Sequence, residues 1–124
     1  MDEQASKILT LDEIVAADDL ETMVLPIAEW GGSVKVRALT RAQHKKAYRD
    51  GTDPKTGQID ADEVEKRIVC WATVEPTINL GQFDKLMEKN AGPIARIVEA
   101  ILLLSGSDQG ALDRARADFK RARG

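Results

Sequence analysis

Val34, Val36 and Ala38 alternate with Lys35 and Arg37, the two-residue period of a strand with one covered face. Just upstream, Leu25 to Trp30 also reads as a strand, and Gly31-Gly32 as the tight turn between the two. Elsewhere the apolar period lengthens to that of a helix. Val64, Ile68, Trp71 and Ala72 fall on one side of a helix, while Glu63, Glu65, Lys66 and Arg67 populate the rest. Ile94, Ile97, Val98, Ile101 and Leu102 form a broad apolar stripe, to which Leu103 and Leu104 add surface. Arg96 and Glu99 are the only charges in that segment, which marks it as the central buried helix. Phe83, Leu86 and Met87 give a further, shorter helix its apolar face.

The helix starts carry their own signals. Thr10 with Glu13 and Thr40 with Gln43 fit capping boxes, in which a hydroxyl accepts from an amide and the later side chain reaches back. Asp60 with Glu63 and Asn79 with Gln82 are looser versions. These predict helices near 10–18, 41–50, 61–73 and 80–90. A fifth starts with Pro93 at its first position and ends near Leu104, where Ser105-Gly106 supplies the stop. Asp53-Pro54 and Gly57 predict a turn over 50–60, and Pro76 breaks the chain at 75–77. No internal repeat is visible.

A two-stranded hairpin is marginal alone in water. The Val34/Val36 face is therefore expected to pack on the helices. The predicted fold class is α+β: mainly helical, about five helices, with one N-terminal two-stranded β-hairpin. Pro26 in the first strand, and Lys35 and Arg37 in the second, are expected to discourage pairing at open strand edges. Residues 1–106 form the predicted domain. Residues 107–124 hold five basic and three acidic residues but only Leu112 and Phe119 as large apolar ones. That composition predicts a basic tail that is mobile or helical, or that orders on binding.

Composition narrows the function classes. With 43 % hydrophobic and 31 % charged residues over 124, the chain reads as one folded, soluble domain. A net charge of -3 predicts no strong pull toward nucleic acid or membranes. The acidic N-terminus does not resemble a secretory leader, and the apolar run at 100–104 is too short to span a bilayer. A single cysteine, Cys70, rules out an internal disulfide and fits a reducing cytoplasm.

Candidate chemistry is sparse. The one histidine, His44, has Lys45 and Lys46 beside it rather than a carboxylate that would orient a general base. Cys70, between Val69 and Trp71, reads as a small hydrophobe. Counted from Asp53, the third, fifth and sixth places of a calcium loop hold Lys55, Gly57 and Gln58, which do not fit it. No catalytic residue, metal or cofactor is expected, and the protein is not expected to be an enzyme. One charge feature stands out: from Lys35 to Arg49 there are six basic residues and no acidic one. Arg41, Lys45 and Arg49 share a helical stripe. The first twenty residues hold six acidic residues against Lys7, so contacts between copies, or within one chain, are electrostatically favoured. The candidate partner-binding residues are Trp30, Arg37, Arg41, Lys45, Arg49, Trp71, Phe83 and Met87, with Arg114, Arg116, Lys120 and Arg121 in the tail.

The order of pieces carries a resemblance. "WGGSVKVRALT" (30–40), then Val74-Glu75-Pro76 after an apolar helix, then "LMEKNAGPIARIVEAILLLSG" (86–106) resemble the tail assembly chaperones of long-tailed bacteriophages and prophages. The Val-Glu-Pro run is one residue shorter than the family's pattern. The likeness spans roughly residues 8–106. It implies a non-enzymatic protein of the host cytoplasm, absent from the mature virion. Such a protein binds the tape measure protein and keeps it soluble until tail tube subunits assemble. The resemblance further implies a link to the tail tube protein through a longer, frameshifted form, and it is compatible with a homo-oligomer. No membrane partner is expected. A small tail completion or connector protein of the virion is the alternative, and a DNA-binding regulator a more distant one.

Overall fold

Three of the five helices among the described residues begin in complete capping boxes, at Thr10, Thr40 and Asn79. In the box at Thr40, the Gln43 amide donates to Thr40 Oγ1 at 3.0 Å while the Thr40 amide donates to Gln43 Oε1 at 3.1 Å. The computed structural model describes residues 7–106. Along them run α1 (Leu11–Ala16), β1 (Thr22–Ile27), β2 (Gly32–Arg37), α2 (Arg41–Asp50), α3 (Ala61–Ala72), β3 (Thr73–Glu75), α4 (Leu80–Leu86) and α5 (Ala91–Leu104). The class is α+β, with an antiparallel sheet ordered β1-β2-β3.

The third strand was not expected from the sequence. Thr73 to Glu75 is too short to show a period, and it follows α3 without a break. Its pairing with β2, Lys35 opposite Glu75 and Val36 opposite Thr73, is a tertiary contact. As a result β2 is flanked on both sides, so Lys35 and Arg37 guard no open edge. Pro26 does lie in an edge strand, where a missing donor is tolerated.

The hairpin is also displaced from its expected register. β1 ends at Ile27, and Ala28–Trp30 coil into one 3₁₀ turn. Gly31 then takes a left-handed conformation (φ 74°), which a residue without Cβ adopts freely, and the chain re-enters as β2. Met23, Leu25 and Ile27 turn inward while Val24 is exposed, so the alternation starts earlier than residue 25.

α4 stops four residues short of expectation. The amides of Met87, Glu88 and Lys89 each donate to the carbonyl three residues back, tightening the chain. Asn90 then caps α5 by accepting from the Gly92 amide at 2.9 Å. Pro93 therefore sits in the first turn rather than at the first position. Its missing N–H is still among those a helix start leaves unbonded.

α5 is the central helix, as its stripe predicted. It packs on α3, β1 and β2, with Ile97 and Ile101 fully buried beside Ile27, Val36 and Val69. Two polar ties hold it to the hairpin. Arg96 pairs with Glu29, and the Leu39 amide donates to Ser105 Oγ at 2.9 Å. The Ser105 hydroxyl in turn donates to the Ile101 carbonyl at 2.7 Å. The 50–60 segment turns as expected, with the Asp60 amide donating to the Gly51 carbonyl at 2.7 Å.

Gly51, at the end of α2, lies close against Val64 of α3. A Cβ there would lie 2.6 Å from Val64 Cγ2 and 3.1 Å from the Ala47 carbonyl oxygen. Gly51→Ala is expected to cost about 1–3 kcal/mol by overpacking. A urea melt read against the wild type checks this; an unchanged midpoint would mean that the helices part without penalty.

Candidate functional site

The 3₁₀ turn after β1 holds Trp30 out at the lip of an apolar groove of about 490 Å³. Val34 of β2 and Thr73 of β3 line it from the sheet. Ile78, Leu86 and Ile97 line it from the helical side. Glu29, Pro76 and Lys89 complete the lining. Trp30 remains 36 % exposed, so the ring is available at the surface. The hydrogen bond from Arg96 holds the Glu29 carboxyl below the ordinary carboxylate range. Thr73 is buried and its hydroxyl oxygen has no hydrogen-bond partner. The polar inventory is thus one paired carboxylate, one ammonium and one unpaired hydroxyl. Such a groove suits a row of apolar side chains, as on one face of an amphipathic helix.

The structure separates the sequence-predicted residues. Trp30 lies in the groove. Phe83 does not offer itself to a partner: it is 3 % exposed and part of the core, because α4 lays that face on α3. Trp71 is half-buried against the core, with the Lys46 ammonium 5.7 Å from its ring centroid. Met87, just past α4, is exposed and outside the groove.

Arg37 is a correction of a different kind. Its guanidinium is spent inside the domain. It donates to the Ala38 carbonyl at 2.9 Å, to Gln43 Oε1 at 3.3 Å and to the Trp71 carbonyl at 3.0 Å. It ties β2 to the end of α3 and to the cap of α2. Of the candidate basic residues, Arg41, Lys45 and Arg49 are exposed, with Arg49 3.6 Å from Asp50. Arg114, Arg116, Lys120 and Arg121 lie outside the described residues.

Sequence reasoning placed none of Ile78, Leu86, Ile97 and Thr73 in a binding site; Leu86 and Ile97 read there only as apolar helix faces. The usable signal was Thr73-Val74 just ahead of Glu75-Pro76: two β-branched residues before a forced break.

Other chemistry is weaker. His44 packs on Tyr48, with ring centroids 5.3 Å apart. Cys70 is half-buried, and desolvation pushes its thiol pKa up despite Lys66 and Arg67, away from a reactive thiolate. An open pocket of about 480 Å³ gathers Asp50, Asp53, Asp60 and Glu63. Each carboxylate there is already engaged. Asp50 lies 3.9 Å from Arg67, and Asp53 accepts from the Lys55 amide at 2.8 Å. Asp60 caps α3, and Glu63 pairs with Arg67 at 2.7 Å. Among the described residues, no three His, Cys, Asp or Glu side chains are placed so that they could hold a metal ion.

No family model and no curated protein matches the sequence. Among solved structures, the crystal structure of the protein YqbN, a target of the Northeast Structural Genomics Consortium, matches with a TM-score of 0.59. The fold resembles that of YqbN. The match covers 82 % of this chain and 100 % of YqbN, at 17 % identity, and so bears on fold alone. No helix among the described residues is long and apolar enough to cross a membrane.

Proposed function

We propose that this protein is a tail assembly chaperone of a long-tailed bacteriophage or prophage. It binds the tape measure protein and keeps it soluble until tail tube subunits assemble around it. The observation that carries the proposal is the apolar groove beneath Trp30, walled by Ile78, Leu86 and Ile97. A chaperone for a long helical client needs a place to shield an apolar helix face, and a groove between helices and a sheet is one. The motifs at 30–40, 74–76 and 86–106 that carry the family resemblance contribute most of its lining: Trp30, Val34, Pro76, Leu86, Lys89 and Ile97.

The test is co-expression with a candidate tape measure protein, followed by size-exclusion chromatography with light scattering. The expected result is a soluble tape measure protein that co-elutes with several copies of this chain. In the same assay Trp30→Ala is expected to weaken binding by about 2 kcal/mol or more, as truncating an aromatic anchor does. A tape measure protein that precipitates regardless, while this chain elutes alone, would overturn the proposal.

A further inference from the structure

An apolar cleft opens where α2, α3 and α5 meet. Tyr48, Ile59, Ile68, Val98 and Leu102 line about 190 Å³ of it. Tyr48 and Ile59 are exposed, so the cleft faces the surface. Ile59 also lines the acidic pocket beside it. The surface is thus apolar on one side of Ile59 and acidic on the other. Charge around the acidic side is one-sided: between 50 and 65 stand Asp50, Asp53, Asp60, Asp62, Glu63 and Glu65 against Lys55 alone. Arg67 meets Asp50 and Glu63. Asp53 and Asp60 accept from backbone amides, which leaves their charge in place.

The chain leaves α5 beside this cleft. Leu102 is part of the lining, and Gly106 soon after takes a left-handed conformation (φ 71°). Its amide donates to the Leu103 carbonyl at 3.1 Å. That geometry ends a helix and turns the chain off its axis. Residues 107–124, outside the described residues, start from there, and their order matches the surface. Leu112 comes first, close enough to Gly106 for a reach of about 20 Å. Arg114, Arg116, Lys120, Arg121 and Arg123 follow, against Asp113 and Asp118. An apolar residue followed by basic ones meets an apolar cleft followed by an acidic hollow.

We infer that residues 107–124 dock back on their own domain, with Leu112 in the cleft and Arg114 and Arg116 over Asp53 and Asp60. The tether favours this over docking from a second copy, because a short linker holds its end at an effective concentration on the order of mM. Docking covers Tyr48 and Ile59, so a partner that uses this face has to displace the tail. The inference rests on the cleft, the charge and the tether, and is independent of the chaperone proposal.

The test is disulfide trapping in the full chain with Cys70→Ala. Gln58→Cys, in the acidic hollow, is paired with Ala115→Cys between the two arginines. The reference is Thr22→Cys with Ala115→Cys. Thr22 is exposed and pairs with Arg37, close to the Leu39–Ser105 tie, so an undocked tail reaches it readily. In a glutathione redox buffer, the effective concentration of the Gln58 pair is expected to exceed the reference by roughly tenfold or more. The product is expected to be an internally bonded monomer, with circular dichroism unchanged. Adding Leu112→Glu, or Arg114→Glu with Arg116→Glu, is expected to bring the two pairs level, and added salt to narrow the gap. Equal effective concentrations at the outset, a preference that survives L112E, or disulfide-linked dimers in place of the internal bond would each overturn the inference.

Discussion

Arg37→Met is expected to lower the unfolding free energy by about 2–4 kcal/mol, while Arg41→Ala and Lys45→Ala stay within about 0.5 kcal/mol of wild type. All three belong to one basic stretch, and the difference lies in what each side chain touches. Methionine keeps most of the apolar stem of Arg37 but none of its donors. The Trp71 carbonyl at the end of α3 and the Ala38 carbonyl after β2 then lose half-buried partners. The Gln43 amide oxygen loses one of its two donors, which loosens the α2 cap. Arg37→Lys is expected to fall between, because an ammonium cannot reproduce the planar fork. Urea unfolding of the four variants checks this. An R37M midpoint equal to wild type would return Arg37 to the set of surface residues free for a partner.

Ile101→Ala is the second large effect, expected at about 2–5 kcal/mol. Ile101 is fully buried, on the helix that touches both β1 and β2 as well as α3. Removing its outer carbons leaves a void that no single element can collapse into without dragging another. At about 4–8 °C per kcal/mol for a domain of this size, the melting temperature falls by tens of degrees at the upper end. Leu103→Ala, two residues on but 40 % exposed, is expected to lose about 1 kcal/mol or less. Calorimetry on both variants tests the assignment of α5 as the core. Equal losses would place the packing centre elsewhere.

The sequence made the helices legible because their signals are local. A capping box is written within four residues, and an amphipathic stripe within twelve. What was not legible depends on residues far apart. Thr73–Glu75 becomes a strand only because β2 lies beside it. Arg37 read as a surface charge because its acceptor, the Trp71 carbonyl, is 34 residues away and is backbone, invisible to any residue pattern. The groove was half visible. Trp30 at a glycine turn was suspicious on its own, but Ile78, Leu86 and Ile97 each read as ordinary helix-face or connector residues. Phe83 shows the reverse error: an aromatic on a short apolar face looked available, and tertiary packing took it into the core.

The clasp between Leu39 and Ser105 has a consequence for synthesis. The hairpin, α2 and α3 are translated long before α5, yet α5 supplies the buried face on which the sheet rests. The nascent chain therefore carries Val34, Val36 and Ile68 without their cover until α5 has left the ribosome. Folding of the domain is expected to be late and abrupt, completed as residue 105 reaches residue 39, rather than stepwise behind the ribosome.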